Sequence, residues 1–136
     1  MTEIPTKWFD RFANEARMWR SYSSCRRTRV GAVIIDPTTR AIVSTGYNGT
    51  VPGSPSCNEG GCKRCEEAAA QGLPPGAVRE YLDCECVHAE MNALLLAAQR
   101  GTKVADCLIF VTHEPCMSCK KHLTVARVAW VVCRET

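Results

Sequence analysis

His88-Ala89-Glu90 and Pro115-Cys116-Met117-Ser118-Cys119 constrain this chain more than any other feature. Each opens a stretch with helix character, so the fold must bring two helix N-termini together. Met91 to Ala98 is rich in strong helix formers and closes at Gly101, a residue suited to the left-handed position after a helix. Pro115 favours a helix start at Cys116, and that segment runs to Arg127. Cys116 and Cys119, at i and i+3, share one helix face, where the positive end of the helix dipole favours thiolates. One imidazole and two thiolates suit Zn²⁺ and leave its fourth tetrahedral position to water, whose pKa falls from roughly 15.7 toward about 7. Glu90, two residues from His88, is then a carboxylate able to move protons without binding metal. A closed structural zinc site is the alternative, and it leaves Glu90 without a task.

The chain of 136 residues is expected to form one domain with one core. No apolar run approaches the roughly 20 residues of a membrane span. The N-terminal residues Met1 to Trp8 lack the apolar stretch of a secretory signal. Ten cysteines without such a signal favour thiols and metal over disulfides, so the cytoplasm is the expected compartment. A net charge of +3 is too small to imply a nucleic-acid partner, and none is expected. Arg17, Arg20, Arg26, Arg27 and Arg29 nevertheless crowd the end of the first helix and the turn after it. Arg17 and Arg20 read as a solvated helix end; Arg26 and Arg27 could equally build a phosphate site from guanidinium forks.

Trp8, Phe9, Phe12, Ala16, Trp19 and Tyr22 recur at helical spacing, which predicts an amphipathic helix over 6–23. Val30 to Ile35 reads as a buried strand, Asp36 to Arg40 as a turn, and Ala41 to Tyr47 as a second, antiparallel strand. Residues 48–86 show little periodicity and hold six glycines, four prolines and five cysteines. An insert of that length needs something other than an apolar core, and metal is the obvious candidate. After it come the His88 helix, a strand over 106–112, the Cys116 helix and a last strand over 128–132. A sheet with helices on its faces accounts for this order.

Cys107 and Cys133 read as small core residues. Cys25, Cys57, Cys62, Cys65, Cys84 and Cys86 flank or lie in the insert. Cys62 and Cys65 have the C-x-x-C spacing of a zinc knuckle, and Cys84 and Cys86 supply two further thiolates, so at least one structural zinc is expected there. His122 reads as a helix-surface residue and His113 as part of an active-site rim. Trp19 and Trp130 fit core or subunit contacts better than a base-stacking platform.

His-x-Glu followed by Pro-Cys-x-x-Cys is the signature of zinc nucleobase deaminases. Together with Gly46-Tyr47-Asn48-Gly49 and Val30 to Ile35, it makes the chain resemble the deoxycytidylate (dCMP) deaminases, within the cytidine deaminase-like superfamily, from about Trp8 onward. The resemblance implies a three-layer α/β/α sandwich with a mixed central sheet and a cysteine-rich, zinc-stabilised insert. It implies hydrolytic deamination of dCMP to dUMP and ammonia in pyrimidine deoxynucleotide metabolism. His88, Cys116 and Cys119 become zinc ligands and Glu90 the proton shuttle. Asn48 becomes a contact to the nucleotide sugar, with Arg26, Arg27 and Thr112 as further substrate contacts. For the second zinc it favours Cys25, Cys57 and Cys86 plus one of Cys62, Cys65 or Cys84, of which Cys84 is taken, in competition with the spacing-based set. It also implies a homo-oligomer, typically a hexamer, activated by dCTP and inhibited by dTTP near Gly46, Tyr47 and Gly49, with Mg²⁺ accompanying the triphosphate. Such proteins usually continue beyond the last strand with another helix and strand. Ending at Arg134-Glu135-Thr136 would weaken closure over substrate or leave that edge to a neighbouring subunit. Three alternatives stay open: dCTP as an additional substrate, a tRNA adenosine deaminase, and a non-catalytic zinc-stabilised nucleic-acid or interaction module. The tRNA reading would want a broad basic footprint; the interaction module would not need Glu90.

Overall fold

Two short strands with no polar side chain, Gly31–Ile35 (β1) and Leu108–Val111 (β3), are buried along their whole length. Such runs belong at the centre of a sheet covered on both faces. The computed structural model, which describes residues 4–74 and 84–133, places them side by side and antiparallel, with Ala32 opposite Val111 and Ile34 opposite Ile109. Ile42–Tyr47 (β2) pairs antiparallel on the outer side of β1, and Ala129–Val132 (β4) pairs parallel to β3. The sheet order is β2-β1-β3-β4.

Strand alternation divides the core into two layers. On one face Val33, Ile35, Leu108 and Phe110 pack against Phe12 and Ala16 of Thr6–Arg20 (α1). On the other, Ala32, Ile34, Ile109 and Val111 meet Ala89 and Ala93 of Ala89–Arg100 (α3) and Leu123 of Met117–Val125 (α4). The result is the three-layer α/β/α sandwich with a mixed sheet. Among the described residues no helix is long and apolar enough to cross a membrane.

Two expectations need correction. The first helix stops at Arg20 rather than 23, because Ser23 leaves it to bind Asn48: its Oγ lies 2.7 Å from both the Asn48 carbonyl and Asn48 Oδ1. The insert is also better ordered than its composition suggests. Cys57–Glu59 forms a 3₁₀ turn and Lys63–Ala70 a helix (α2), whose buried residues are Arg64, Cys65 and Ala68. No apolar periodicity announces α2, since thiols and small residues make its inner face. The ends of the insert are latched by a bridge in which the Gly49 amide donates to Val87 at 3.2 Å and the Val87 amide to Gly49 at 2.7 Å. The part of the expected insert over 75–83 lies outside the described residues.

Candidate active site

His88 and Cys116 are the residues that cap α3 and α4. Neither uses its side chain to cap its own helix, so both are free to face each other across the gap between the helices. His88 Nδ1 lies 3.5 Å from Cys116 Sγ and 3.4 Å from Cys119 Sγ. The three donor atoms are mutually within 4.8 Å, and no fourth side chain joins this group among the described residues. With bonds of roughly 2.0–2.3 Å, a tetrahedral zinc separates its ligands by about 3.5 Å, so the observed spacing suits that ion. Charge points the same way. Burial first, then the Glu90 charge and Cys116, push the Cys119 thiol above its ordinary range, so a thiolate there calls for a cation.

Glu90 sits in the first turn of α3 with only 4 % of its surface exposed. It lines a cavity of about 190 Å³ with His88, Cys116, Asn48, Arg27 and His113. Thr28, Val30 and Glu114 also line it, and the sequence reading missed all three. Their only signal was proximity to the motifs.

Asn48 is the hub of one wall. Its Oδ1 accepts the Val30 amide at 2.8 Å as well as facing Ser23, and its Nδ2 donates to the Thr28 carbonyl at 2.7 Å. Nδ2 carries a second hydrogen that none of these contacts takes. Thr112 lies beside the cavity rather than among its lining residues. Its Oγ1 accepts the Gly31 amide at 3.1 Å and sits 2.8 Å from His113 Nδ1, so it orients His113 at the rim.

The arginine cluster does not act as one patch. Arg17 donates to Asn14 Oδ1 at 3.0 Å, and Arg26 pairs with Glu66 of α2 at 2.8 Å. Arg27 alone of the expected phosphate pair lines the cavity. Gly46 packs closely against α3, where a Cβ would run into the Ala89 carbonyl and lie 2.8 Å from the Ala93 amide nitrogen. Gly46, Tyr47 and Gly49 all lie along an open surface groove of about 620 Å³.

The insert cysteines gather in a second cluster. Cys57, Cys62 and Cys86 place their sulphurs within 4.8 Å of one another, and Cys57 Sγ lies 3.5 Å from Cys65 Sγ. Cys84 packs against the group. A hydrogen bond with Cys86 pulls the Cys25 thiol down to about 5, while that contact and burial push Cys86 up. Cys107 and Cys133 stand apart in the apolar core, where burial raises their thiols.

A three-layer α/β/α sandwich with a His-Cys-Cys triad between two helix N-termini and a buried carboxylate beside it is the arrangement of the cytidine deaminase-like fold. Residues 6–135 match the family described as the cytidine and deoxycytidylate deaminase zinc-binding region, and the chain belongs to that family. It is 33% identical over 128 residues to the deoxycytidylate deaminase of Mycobacterium phage D29, covering 92% of each chain. It is 34% identical over 125 residues to that of Schizosaccharomyces pombe, covering 92% of this chain and 36% of the relative. The chain thus spans about a third of the length of the yeast relatives it matches. Among solved structures, the dCMP deaminase of cyanophage S-TIM5 in complex with dCMP and dUMP superposes with a TM-score of 0.73 at 23% identity, covering 94% of this chain and 83% of that one.

Proposed function

We propose that this chain hydrolyses dCMP to dUMP and ammonia, with zinc held by His88, Cys116 and Cys119. The observation that carries this reading is the buried Glu90, which lines the same cavity as two of the three metal donors without joining their group. When bound, the ion supplies Lewis acidity that lowers the pKa of water toward about 7. Glu90 takes a proton from that water as it adds to the ring carbon bearing the amino group. Glu90 hands that proton to the adjacent ring nitrogen, then takes the remaining proton of the added hydroxyl and passes it to the amino group, which leaves as ammonia. Asn48 offers its second amide hydrogen to the sugar, and Arg27 offers a fork for phosphate. Similarity to a phage deoxycytidylate deaminase over nearly the whole length of both chains supports dCMP as the substrate.

Regulation by dCTP and dTTP, with Mg²⁺ on the triphosphate, would fall on the groove lined by Gly46, Tyr47 and Gly49. A homo-oligomer would cover the exposed Tyr22, Tyr47 and Leu95. The abundance of free thiols suits a reducing compartment, the cytoplasm.

The test is a comparison of substrates. Full-length protein loaded with zinc is incubated separately with dCMP, dCTP and an anticodon stem-loop RNA, and ammonia is followed. dCMP should be consumed with one ammonia released per dUMP formed. Deamination of the RNA with dCMP left intact would overturn the reading.

A further inference from the structure

The cavity wall carries one ring that the proposed reaction leaves idle, His113. Exposure grades the lining residues from floor to mouth. Ala89, Glu90 and Asn48 are buried, His88, Cys116, Arg27 and His113 are half-buried, and Thr28 and Glu114 are exposed. Arg27 and His113 each adjoin one of the two exposed residues, so both belong to the mouth. The sheet puts them at the same end of the molecule. The Thr112 amide donates to the Gly31 carbonyl at 3.1 Å, so the segment 27–30 and the turn 113–116 leave neighbouring strands side by side. Hydrogen bonding also fixes which nitrogen of His113 carries its proton. Thr112 is 7 % exposed, and its Oγ1 accepts the Gly31 amide at 3.1 Å. A buried hydroxyl has its own hydrogen to place, and His113 Nδ1, 2.8 Å away, is the acceptor at hand. Were Nδ1 protonated instead, two N–H groups would point at Oγ1 and the hydroxyl would lose this acceptor. In a neutral imidazole the proton then sits on the other nitrogen, so His113 presents Nε2–H as a donor, directed away from Thr112.

We propose that His113 Nε2–H joins the Arg27 guanidinium in binding the phosphate monoester of the substrate, a role that rests on the proposed reaction and refines it. His113 is then a specificity-determining residue that favours a nucleotide over its nucleoside, and Thr112 is its positioning residue. The reacting ring has to reach Glu90 and the metal donors, so it takes the buried floor of the cavity. The phosphate, at the other end of the nucleotide, is left at the mouth, where the donors of Arg27 and His113 lie. A monoester dianion accepts several hydrogen bonds at once. The N–H of a neutral imidazole adds one to those of the guanidinium fork without placing a second cation at the mouth. Glu114 brings an opposing charge to the same rim, and its pairing with Lys120 at 2.7 Å offsets that charge.

Full-length protein loaded with zinc is assayed with dCMP and with deoxycytidine, which lacks the phosphate. His113→Phe keeps a ring and removes the donor. The ratio of kcat/KM for dCMP to that for deoxycytidine should fall by about 10- to 100-fold, the range for a hydrogen bond to a charged group. His113→Gln, whose amide nitrogen reaches the position of Nε2, should recover part of that ratio. Thr112→Val should lower the ratio in the same sense and Thr112→Ser should restore it, whereas structural damage alone would harm both substrates alike. An unchanged ratio in His113→Phe, or an equal loss for the two substrates, would overturn the proposal. A second measurement does not depend on turnover. In protein with ¹⁵N-labelled histidine at about pH 8, above the ordinary imidazole range, His113 should show a bare Nδ1 and a protonated Nε2. The Nε2 signal should move on addition of deoxyribose phosphate and stay in place with deoxyribose. A proton on Nδ1, or the same response to both sugars, would also overturn the proposal. A parent protein that leaves dCMP intact would overturn the proposed function, and the two sugars would then decide on His113 by themselves.

Discussion

Glu90 occupies a position where a carboxylate would not be stable without a purpose: 4 % exposed and in the first turn of α3. The helix dipole offsets part of the desolvation, and a metal cation between His88, Cys116 and Cys119 would offset more. Replacing the carboxylate by the isosteric amide separates metal binding from proton transfer. Glu90→Gln should keep its zinc, measured by metal analysis, while turnover of dCMP falls by on the order of 10²- to 10⁴-fold, the usual share of general acid-base catalysis. Retained turnover in the zinc-loaded variant would remove Glu90 from the mechanism. The convergence of Glu90 with the three candidate metal donors was legible, because helix-start chemistry brings those residues together. Asn48 was legible only in part. Its place on the cavity wall follows the motif, but its bonds to Ser23, Val30 and Thr28 are long-range, and no spacing rule links residues so far apart in the chain.

At the scale of elements, the site depends on how closely α3 lies on β2. Gly46 permits that approach, with the Ala89 carbonyl over its bare Cα and the Ala93 nitrogen 2.8 Å from where a Cβ would stand. Both contacts are backbone, so neither can swing aside. Ser44, on the same face of β2, donates to the Ala93 carbonyl at 2.7 Å and holds the helix in register. Gly46→Ala should lift the N-terminal turn of α3, which carries His88 and Glu90. The expected outcome is a loss of about 1–3 kcal/mol in denaturant unfolding, as for other overpacked cores, together with weaker zinc retention under a competing chelator. Unchanged metal affinity would mean that the helix end is held independently of β2. The strands could be read from unbroken apolar runs at the sheet centre. α2 could not, because a helix whose buried face is Arg64, Cys65 and Ala68 carries no apolar stripe to find.

Across the whole molecule, the cysteine cluster and the cavity share their supports. Cys86 stands two residues before His88, and Cys25 two residues before Arg27, so each chain segment runs from a cluster sulphur directly into the cavity wall. The Arg26–Glu66 pair at 2.8 Å adds a third tie, though an exposed ion pair contributes only about 0–1 kcal/mol. Metal in the insert would therefore fix the separation of Arg27 from His88, which on the proposed reading would set how a nucleotide spans the cavity from phosphate to base. Loss of that metal should loosen binding before it harms chemistry, since Glu90, Cys116 and Cys119 lie on α3 and α4 rather than on the insert. Cys57→Ser removes a fully buried sulphur from the cluster without touching either cavity wall. In a variant that still binds zinc at His88, Cys116 and Cys119, KM for dCMP should rise about tenfold to a hundredfold, the usual penalty for displaced positioning groups, while kcat changes far less. A fall in kcat at constant KM would instead mean that the insert acts on the catalytic triad through His88 and not on the distance between the two walls.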